Sequence, residues 1–368
     1  MKYYLIAGER SGDLHASNLI YEIKYLDSNP IFRGMGGDYM AEAGCYLNVH
    51  FKEMSMMGFL EVVLGARKVL TNLQKIKRDI LEFNPDAIIL VDFGGFNMKM
   101  AAFAKQHLIP VHYYIPPKVW AWNRDRAIKL KKMVDGLYTI LPFEPEFFSR
   151  YNWEVPYVGN PVRDEIAKFK PSPQFLERYV LGKKPIIALL PGSRKQEVRI
   201  MLGLMVKMVK QFVGFDFVVA AVDNLAPEEY EEANSHGIKV VTGGTYDLLT
   251  HAHAAVVTSG TATLETALFH VPQVVVYKTS MLTYAIGKNL VKVPYISLVN
   301  LVAGKKVVEE LIQGEYTADI VAQHLKAIAE DGQARDKILD GYKEVGQKIG
   351  TKKASQETAR LIVNSLKV

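Results

Sequence analysis

Cysteine is nearly absent from this 368-residue chain, where Cys45 stands alone. A single thiol excludes an intramolecular disulfide and a zinc site built from several cysteines, and it fits a reducing compartment. Long apolar runs are lacking too. The longest stretch free of Asp, Glu, Lys and Arg is Leu248 to Leu264, and it carries two His, four Thr and one Ser. A spanning helix needs about 20 mainly apolar residues, so none is expected. The opening run Tyr3 to Ala7 meets Glu9 and Arg10 too soon for a signal peptide, and the expected location is cytoplasmic. No H-E-x-x-H or similar spacing occurs among the nine histidines, so no metal site is expected. Nothing matches the G-x-x-x-x-G-K-S/T loop of P-loop ATPases.

What is present is globular in character. Hydrophobic residues make up 49% and charged residues 23%, which excludes disorder, collagen-like repeats and coiled coil. Lys and Arg number 45 against 39 Asp and Glu, giving +6 and an isoelectric point near 9.0. That modest excess permits an anionic partner, such as a nucleotide, a phosphate or an acidic membrane surface, without demanding one. At about 150 residues per domain, the length predicts two domains.

The run Tyr3 to Ala7, the turn Gly8-Glu9-Arg10-Ser11-Gly12-Asp13 and the amphipathic stretch Leu14 to Leu26 read as strand, glycine turn and helix. Further strands are expected at Ala87 to Val91, Val111 to Ile115 and Leu137 to Leu141, with helices at Val69 to Phe83 and Met98 to Gln106. A second set follows the Pro-rich stretch Pro156 to Pro173. Its strands are Pro185 to Leu190, Phe215 to Ala221, Ile238 to Val241, Ala254 to Thr258 and Gln273 to Tyr277, and its helices include Val198 to Phe212 and Ala262 to Phe269. Near-continuous apolar strands alternating with helices predict two doubly wound, Rossmann-like α/β domains with parallel sheets, facing across a cleft. The expected domains are 1–165 and 166–345, with 346–368 packing back on the first through a helix at Ser355 to Leu366. Ligands of such sheets sit outside the carboxyl ends of the strands.

Two strand-end loops of the second half carry anion-binding groups. Leu190-Pro191-Gly192-Ser193-Arg194 joins a glycine, a hydroxyl and a guanidinium, and Thr258-Ser259-Gly260-Thr261 opens a helix. Free N–H groups at a helix start favour a phosphate, and two such loops in one domain point to a diphosphate. The plainer reading is that Ser259 or Thr261 caps its helix. Glu265, one turn on, is placed to accept ribose hydroxyls or to sit solvated on the helix. Asn300 either reads a base or phosphate or holds a turn. In the first half, Asp92 ends an apolar strand and is placed either for general-base work or as a helix cap. Asp13 and His15 follow the opening glycine turn and share that expected cleft, whereas His112 reads as a core histidine.

Met54 to Leu70 holds more apolar residues than one helical face needs, with Lys75, Lys77 and Arg78 beyond it. An interfacial membrane helix has that composition, and so does a core helix with snorkelling ends. The run Trp120-Ala121-Trp122-Asn123-Arg124-Asp125-Arg126 is open to the same two readings.

In their order along nearly the whole chain, several motifs resemble those of the lipid-A-disaccharide synthases. They are Ala7-Gly8-Glu9-Arg10-Ser11-Gly12-Asp13, Gly34-Met35-Gly36-Gly37, Met57-Gly58-Phe59-Leu60-Glu61-Val62, Pro117-Lys118-Val119-Trp120-Ala121-Trp122 and Leu141-Pro142-Phe143-Glu144. Leu190-Pro191-Gly192-Ser193-Arg194, Ser259-Gly260-Thr261-Ala262-Thr263-Leu264-Glu265 and Asn300-Leu301-Val302-Ala303-Gly304 complete the set. Departures are Gly95 where the family has Asp, Tyr113-Tyr114 where it has His-Tyr, Asn160 where it has His, and Arg10 where a small residue is usual.

The resemblance implies a GT-B enzyme that inverts at the anomeric carbon, needing no metal or other cofactor. It would join UDP-2,3-diacylglucosamine to 2,3-diacylglucosamine 1-phosphate, giving a β-1,6 disaccharide 1-phosphate and UDP. Asp92 would be the base, with His15 as second candidate and Asn97 beside it. The UDP-sugar would be held by Gly192, Ser193 and Arg194, by Ser259, Gly260, Thr261 and Glu265, and by Gly12, Tyr277, Asn300 and Glu310. Met57, Phe59, Leu60, Val63 and Val69 would meet acyl chains at the inner leaflet. The implied enzyme is peripheral on the cytoplasmic membrane face and homodimeric, and has no nucleic-acid partner. UDP-N-acetylglucosamine 2-epimerases share the two-domain plan, and a non-catalytic membrane or nucleotide-binding module is the rival from another class.

Overall fold

The computed structural model describes residues 1–53, 62–122, 126–281, 284 and 293–367. They form two units, one of Met1–Pro161 with the residues from Thr351 onward, the other of Val162–Gly350. The second break follows the helix Gln333–Ile349, which stops at Gly350 with φ +66, in the left-handed region that favours glycine.

Each unit is built on a six-stranded parallel sheet. The first contains β1 (Lys2–Ala7), β2 (Ile31–Gly36), β3 (Tyr46–His50), β4 (Ala87–Val91), β5 (Val111–Tyr114) and β6 (Gly136–Tyr138), in the order β3-β2-β1-β4-β5-β6. The second contains β7 (Ile186–Leu190), β8 (Asp216–Ala221), β9 (Lys239–Thr242), β10 (Ala252–Thr258), β11 (Gln273–Tyr277) and β12 (Glu309–Ile312), in the order β12-β11-β10-β7-β8-β9. Read from β9, the second order repeats the first, and both have the Rossmann arrangement. Every residue of β4 and β7 is buried, as strands covered by helices on both faces must be.

Three strands, β2, β3 and β12, lie outside the sequence expectation for a common reason. β3 and β12 are edge strands, so their sequences YLNVH and EELI mix polar with apolar residues. β2 is interrupted by Gly34, which pairs with Leu5 of β1, and a Cβ there would overlap the Leu5 carbonyl. Close approach of the two backbones demands the glycine that hides the strand. Helix starts also shift. Backbone turns begin before the apolar periodicity does, so α1 spans Arg10–Leu26, α2 Asp38–Glu42, α3 Val62–Phe83 and α4 Gly94–Gln106.

The C-terminal helix Ala354–Leu366 belongs to the first unit. Its Ala354, Ala359, Ile362 and Val363 are fully buried in one cluster with Leu5 of β1 and with Ala16, Leu19 and Ile20 of α1. His112 is a core residue, with its Nδ1 2.9 Å from the Tyr138 hydroxyl, and burial holds its pKa down at about 4.

Two pairs of motifs are joined by single buried carboxylates. Trp120 Nε1 donates to Glu144 Oε1 at 3.0 Å, and Glu144 Oε2 accepts the N–H groups of Ile140 and Leu141 at 3.0 and 2.9 Å. Asp13, in the first turn of α1, accepts from the N–H groups of Gly37, Met40 and Tyr39 at 2.7, 3.1 and 3.0 Å. Asp13 therefore caps α2 instead of facing a ligand, which corrects its expected place in the cleft. Side chains on Gly36 and Gly37 would crowd this same carboxylate, at 3.2 and 2.7 Å. Asp13→Ala leaves buried donors unsatisfied, at about 1–3 kcal/mol each, while Asp13→Asn keeps one acceptor oxygen. Urea unfolding is expected to show a clear midpoint loss for Asp13→Ala and a smaller one for Asp13→Asn.

Candidate active site

In the second unit β7 and β10 lie side by side, with Leu190 level with Val257. β8 and β9 extend the sheet on one side, and β11 and β12 on the other. The loops leaving β7 and β10 therefore diverge, opening the crevice in which Rossmann-like sheets bind their ligands. Both candidate anion loops sit there. Gly192 has φ +108, a left-handed conformation in which a side chain would also overlap the Glu197 carboxylate. Glu197 Oε2 accepts the Ser193 N–H at 3.2 Å, and exposed Arg194 is the N-cap of the helix Lys195–Met208.

The helix Thr261–Leu268 starts at Gly260, and no side chain caps it. Ser259 Oγ donates instead to the Ile296 carbonyl at 2.8 Å, so the capping explanation of Ser259 and Thr261 does not hold. A Cβ on Gly260 would meet nothing within 4 Å among the described residues. Packing of the described residues thus gives no reason for this glycine, which opens the start of a helix.

Glu265 is half-buried and engaged by a neighbour instead of fully solvated on its helix. Its Oε1 accepts from the Tyr246 hydroxyl at 3.0 Å, and burial raises its pKa above the ordinary carboxylate value. Tyr246 stands on the short helix Thr245–His251 that follows β9, and its ring packs on Phe269 and Phe169 at 5.1 and 5.5 Å. Tyr246 lacked a sequence signal beyond its position two residues after Gly243-Gly244, because its partner is 19 residues away.

Asn300 and Glu310 come together, but in a closed network. Asn300 Oδ1 accepts the N–H groups of Val307 and Val308 at 2.7 and 3.0 Å. Its Nδ2 donates to the Val308 carbonyl and to Glu310 Oε1 at 3.0 and 2.8 Å. Glu310 also accepts from the N–H groups of Ile296 and Ser297 and from the Ser297 hydroxyl. Asn300 thus spends its full hydrogen-bonding capacity within the protein, which corresponds to the turn-holding alternative. Tyr277 ends β11, half-buried.

In the first unit the corresponding crevice opens between β1 and β4, where Ala7 is level with Val91. Asp92 and Phe93 leave β4 with φ of +49 and +51, two successive left-handed residues without glycine. Such strain persists only where the surroundings hold it, and it clusters at functional sites. Here the Asp92 carbonyl accepts from Asn97 Nδ2 and from the Tyr113 hydroxyl, both at 2.7 Å. Fully buried Asn97 also reaches the Val91 carbonyl at 3.3 Å, so it positions the Asp92 turn through the backbone. The half-buried Asp92 side chain is carried at the strand's carboxyl end, with the Gly12 backbone beside it. Gly12 accordingly belongs to the first unit, whereas the loops at 191–194 and 259–261 belong to the second. His15 lies on α1, half-buried, one turn beyond Gly12.

Met57, Phe59 and Leu60 fall outside the described residues, as do the side chains of Val63 and Val69 in α3. Among the described residues, no helix is long and apolar enough to cross a membrane, and no group of three His, Cys, Asp or Glu is placed to hold a metal.

The half-buried Glu265 carboxyl generates a pH prediction. Folding raises its pKa, so the folded chain binds the proton more tightly. The resulting stability is whole below the unfolded value of about 4.3 and is lost as pH climbs to the raised value. Glu265→Gln removes that loss. The unfolding temperature of the variant relative to wild type is therefore expected to rise as pH increases above about 4, and a constant difference would contradict the assignment.

Comparison with known proteins accords with this geometry. Residues 3–363 match the family model for lipid-A-disaccharide synthetase. Lipid-A-disaccharide synthases of Syntrophus aciditrophicus and Myxococcus xanthus are 35% and 36% identical, over 99% and 98% of this chain and 97% of each relative. That of Coxiella burnetii is 34% identical over 98% of this chain and 97% of its own. Among solved structures, the UDP-GlcNAc 2-epimerase of Neisseria meningitidis bound to UDP-GlcNAc superposes with a TM-score of 0.60 at 13% identity, covering 100% of this chain and 99% of that one. The glycotransferase of kitacinnamycin gives 0.65 at 12% identity, covering 99% of both. These likenesses show the GT-B fold with its two Rossmann-like domains. Sequence identity along nearly the whole length decides the family within that fold, and the chain belongs to the lipid-A-disaccharide synthases, glycosyltransferases of lipid A disaccharide synthesis.

Proposed function

We propose that the chain transfers the diacylglucosaminyl group of UDP-2,3-diacylglucosamine to the 6-hydroxyl of 2,3-diacylglucosamine 1-phosphate, with inversion. Asp92 takes the proton from the 6-hydroxyl as the oxygen attacks the anomeric carbon. A β-1,6 bond forms, the bond from that carbon to the diphosphate oxygen breaks, and UDP leaves with the electron pair. An alcohol is a poor nucleophile at neutral pH, and a placed base is typically worth about 10²–10⁴-fold. Arg194 and the uncapped start of the helix Thr261–Leu268 balance the charge that grows on the departing diphosphate. Asn97 and Tyr113 enter as positioning residues, since both grip the Asp92 carbonyl.

The observation that carries the reading is the strained Asp92–Phe93 turn at the crevice of one sheet, together with the uncapped, glycine-opened helix start at the crevice of the other. Membrane contact through Met54 to Leu70 belongs to the same proposal, because both substrates carry acyl chains and this segment combines apolar excess with basic flanks. Replacing Phe59, Leu60, Val63 and Val69 with Ser is expected to cut binding to anionic vesicles and leave the fold intact. Unfolding of that variant would make the segment core.

Release of UDP from UDP-diacylglucosamine is expected only when the acceptor is present, and release without acceptor would indicate hydrolysis instead. Asp92→Asn should leave UDP affinity unchanged and lower turnover at least about 100-fold. Turnover within a few-fold of wild type would pass the base role to His15. A charge-assisted contact of about 1.5–3 kcal/mol makes Arg194→Ala weaken UDP binding roughly 10- to 150-fold in calorimetry.

A further inference from the structure

Glu265 has a partner that no part of the transfer chemistry accounts for. Tyr246 comes from a different helix, yet its hydroxyl is aimed at one carboxylate oxygen, Oε1, at 3.0 Å. The ring behind that hydroxyl is fixed on two sides. It packs on Phe269 at 5.1 Å with a 52° tilt and meets Phe169 edge-on at 5.5 Å and 86°, while Phe169 meets Phe269 at 5.9 Å. An aromatic clamp of this kind leaves the hydroxyl little freedom, because a tyrosine side chain turns about only two bonds and both are packed. Glu265 itself is held by its helix, one turn beyond the open Gly260 start. Partial burial of the carboxylate penalises its charge, which one hydroxyl donor offsets only in part. Oxygen Oε2 has acceptor capacity that Tyr246 does not use.

We propose that Tyr246 is a positioning residue: by holding Oε1 it fixes the Glu265 carboxylate, so that the second oxygen is kept for the 2′- and 3′-hydroxyls of the nucleotide ribose, the contact already expected of Glu265 from the sequence. The assignment rests on the UDP site at Gly192–Arg194 and Ser259–Thr261. In physical terms the selectivity comes from desolvation. A carboxylate already deprived of water gains from hydroxyl donors of the ligand, and an analogue lacking them leaves it buried and short of partners. Tyr246 sharpens this by fixing which oxygen is engaged and which is open.

The test compares UDP with 2′,3′-dideoxy-UDP by calorimetry on the full chain. Wild type is expected to bind the dideoxy compound about 10- to 150-fold more weakly. Tyr246→Phe removes one oxygen and keeps the ring packing, so its near-ultraviolet dichroism and unfolding temperature should stay close to those of wild type. Its preference for UDP is expected to fall to less than a fifth of the wild-type ratio. Glu265→Gln should lower the ratio similarly, and the double variant should show no further loss, since both changes remove one coupled unit. A Tyr246→Phe ratio equal to that of wild type overturns the positioning role and leaves the UDP site standing. Equal binding of the two nucleotides by wild type overturns the diol contact as well. Absence of UDP binding by wild type overturns the nucleotide site together with this inference. Should Tyr246→Phe misfold, the same comparison on Phe169→Leu, which loosens the clamp from behind, replaces it. An unchanged ratio there overturns the clamp.

Discussion

The order of the strands is the constraint from which the rest follows. In each sheet the first and fourth strands are neighbours, β1 with β4 and β7 with β10. A parallel strand must be followed by a crossover, and the connections from two such neighbours run to opposite sides of the sheet. Backbone N–H groups and strand-end side chains are consequently left uncovered at that one place. Elsewhere along the carboxyl edge the next helix covers its own strand. The consecutive left-handed residues Asp92 and Phe93 and the helix start behind Gly260 lie at those two positions.

The interior of this plan was legible because burial on both faces writes a simple pattern. β1, β4, β7, β10 and β11 read as apolar runs, and the anion loops and Asp92 lie where such runs stop. Loss of legibility has physical causes as well. Edge strands have one solvated flank, so β3 and β12 carry polar residues that break the run, and β2 bears a glycine needed for its approach to Leu5. A polar residue in a loop looks the same whether it awaits a ligand or holds the chain. Asn300 and Glu310 illustrate this, because their partners at Val307, Val308, Ile296 and Ser297 are all nearby in sequence, yet the closed network is set by backbone directions that residue identity does not encode. Asp13 was read as facing a cleft for a similar reason, its partners at Gly37, Tyr39 and Met40 lying more than 20 residues on.

Several family motifs prove to be structural halves of one another. The acidic end of Ala7-Gly8-Glu9-Arg10-Ser11-Gly12-Asp13 is the cap for the helix behind Gly34-Met35-Gly36-Gly37, and side chains on Gly36 and Gly37 would crowd that carboxylate as well as Met40 and Phe51. Trp120 and Glu144 pair in the same way, with the indole N–H satisfying a carboxylate that otherwise serves two backbone amides. A buried charge needs donors, and removing one partner leaves the other stranded, so residues far apart in sequence are constrained together. Motif order along the chain is in this sense a record of packing as well as of chemistry.

That distinction explains how one topology, used twice, serves two unlike tasks. At the crevice of the first sheet the strand ends in a carboxylate, and its turn is held by donors, Asn97 and Tyr113, that bind the backbone carbonyl and not the acid. The site is electron-rich and suited to withdraw a proton. At the crevice of the second sheet there is no terminal acid on β7 or β10. The chain instead presents N–H groups, hydroxyls and the Arg194 guanidinium, and the two carboxylates near them are already engaged, Glu197 by the Ser193 N–H and Glu265 by the Tyr246 hydroxyl. This site is electron-poor and suited to receive a leaving diphosphate. In the proposed transfer, negative charge grows on the leaving group while a proton leaves the nucleophile, so the two sites would need opposite polarity. Duplicated Rossmann-like units provide it without any change of backbone plan, because the switch point fixes where charge acts and the few residues after the strand fix its sign.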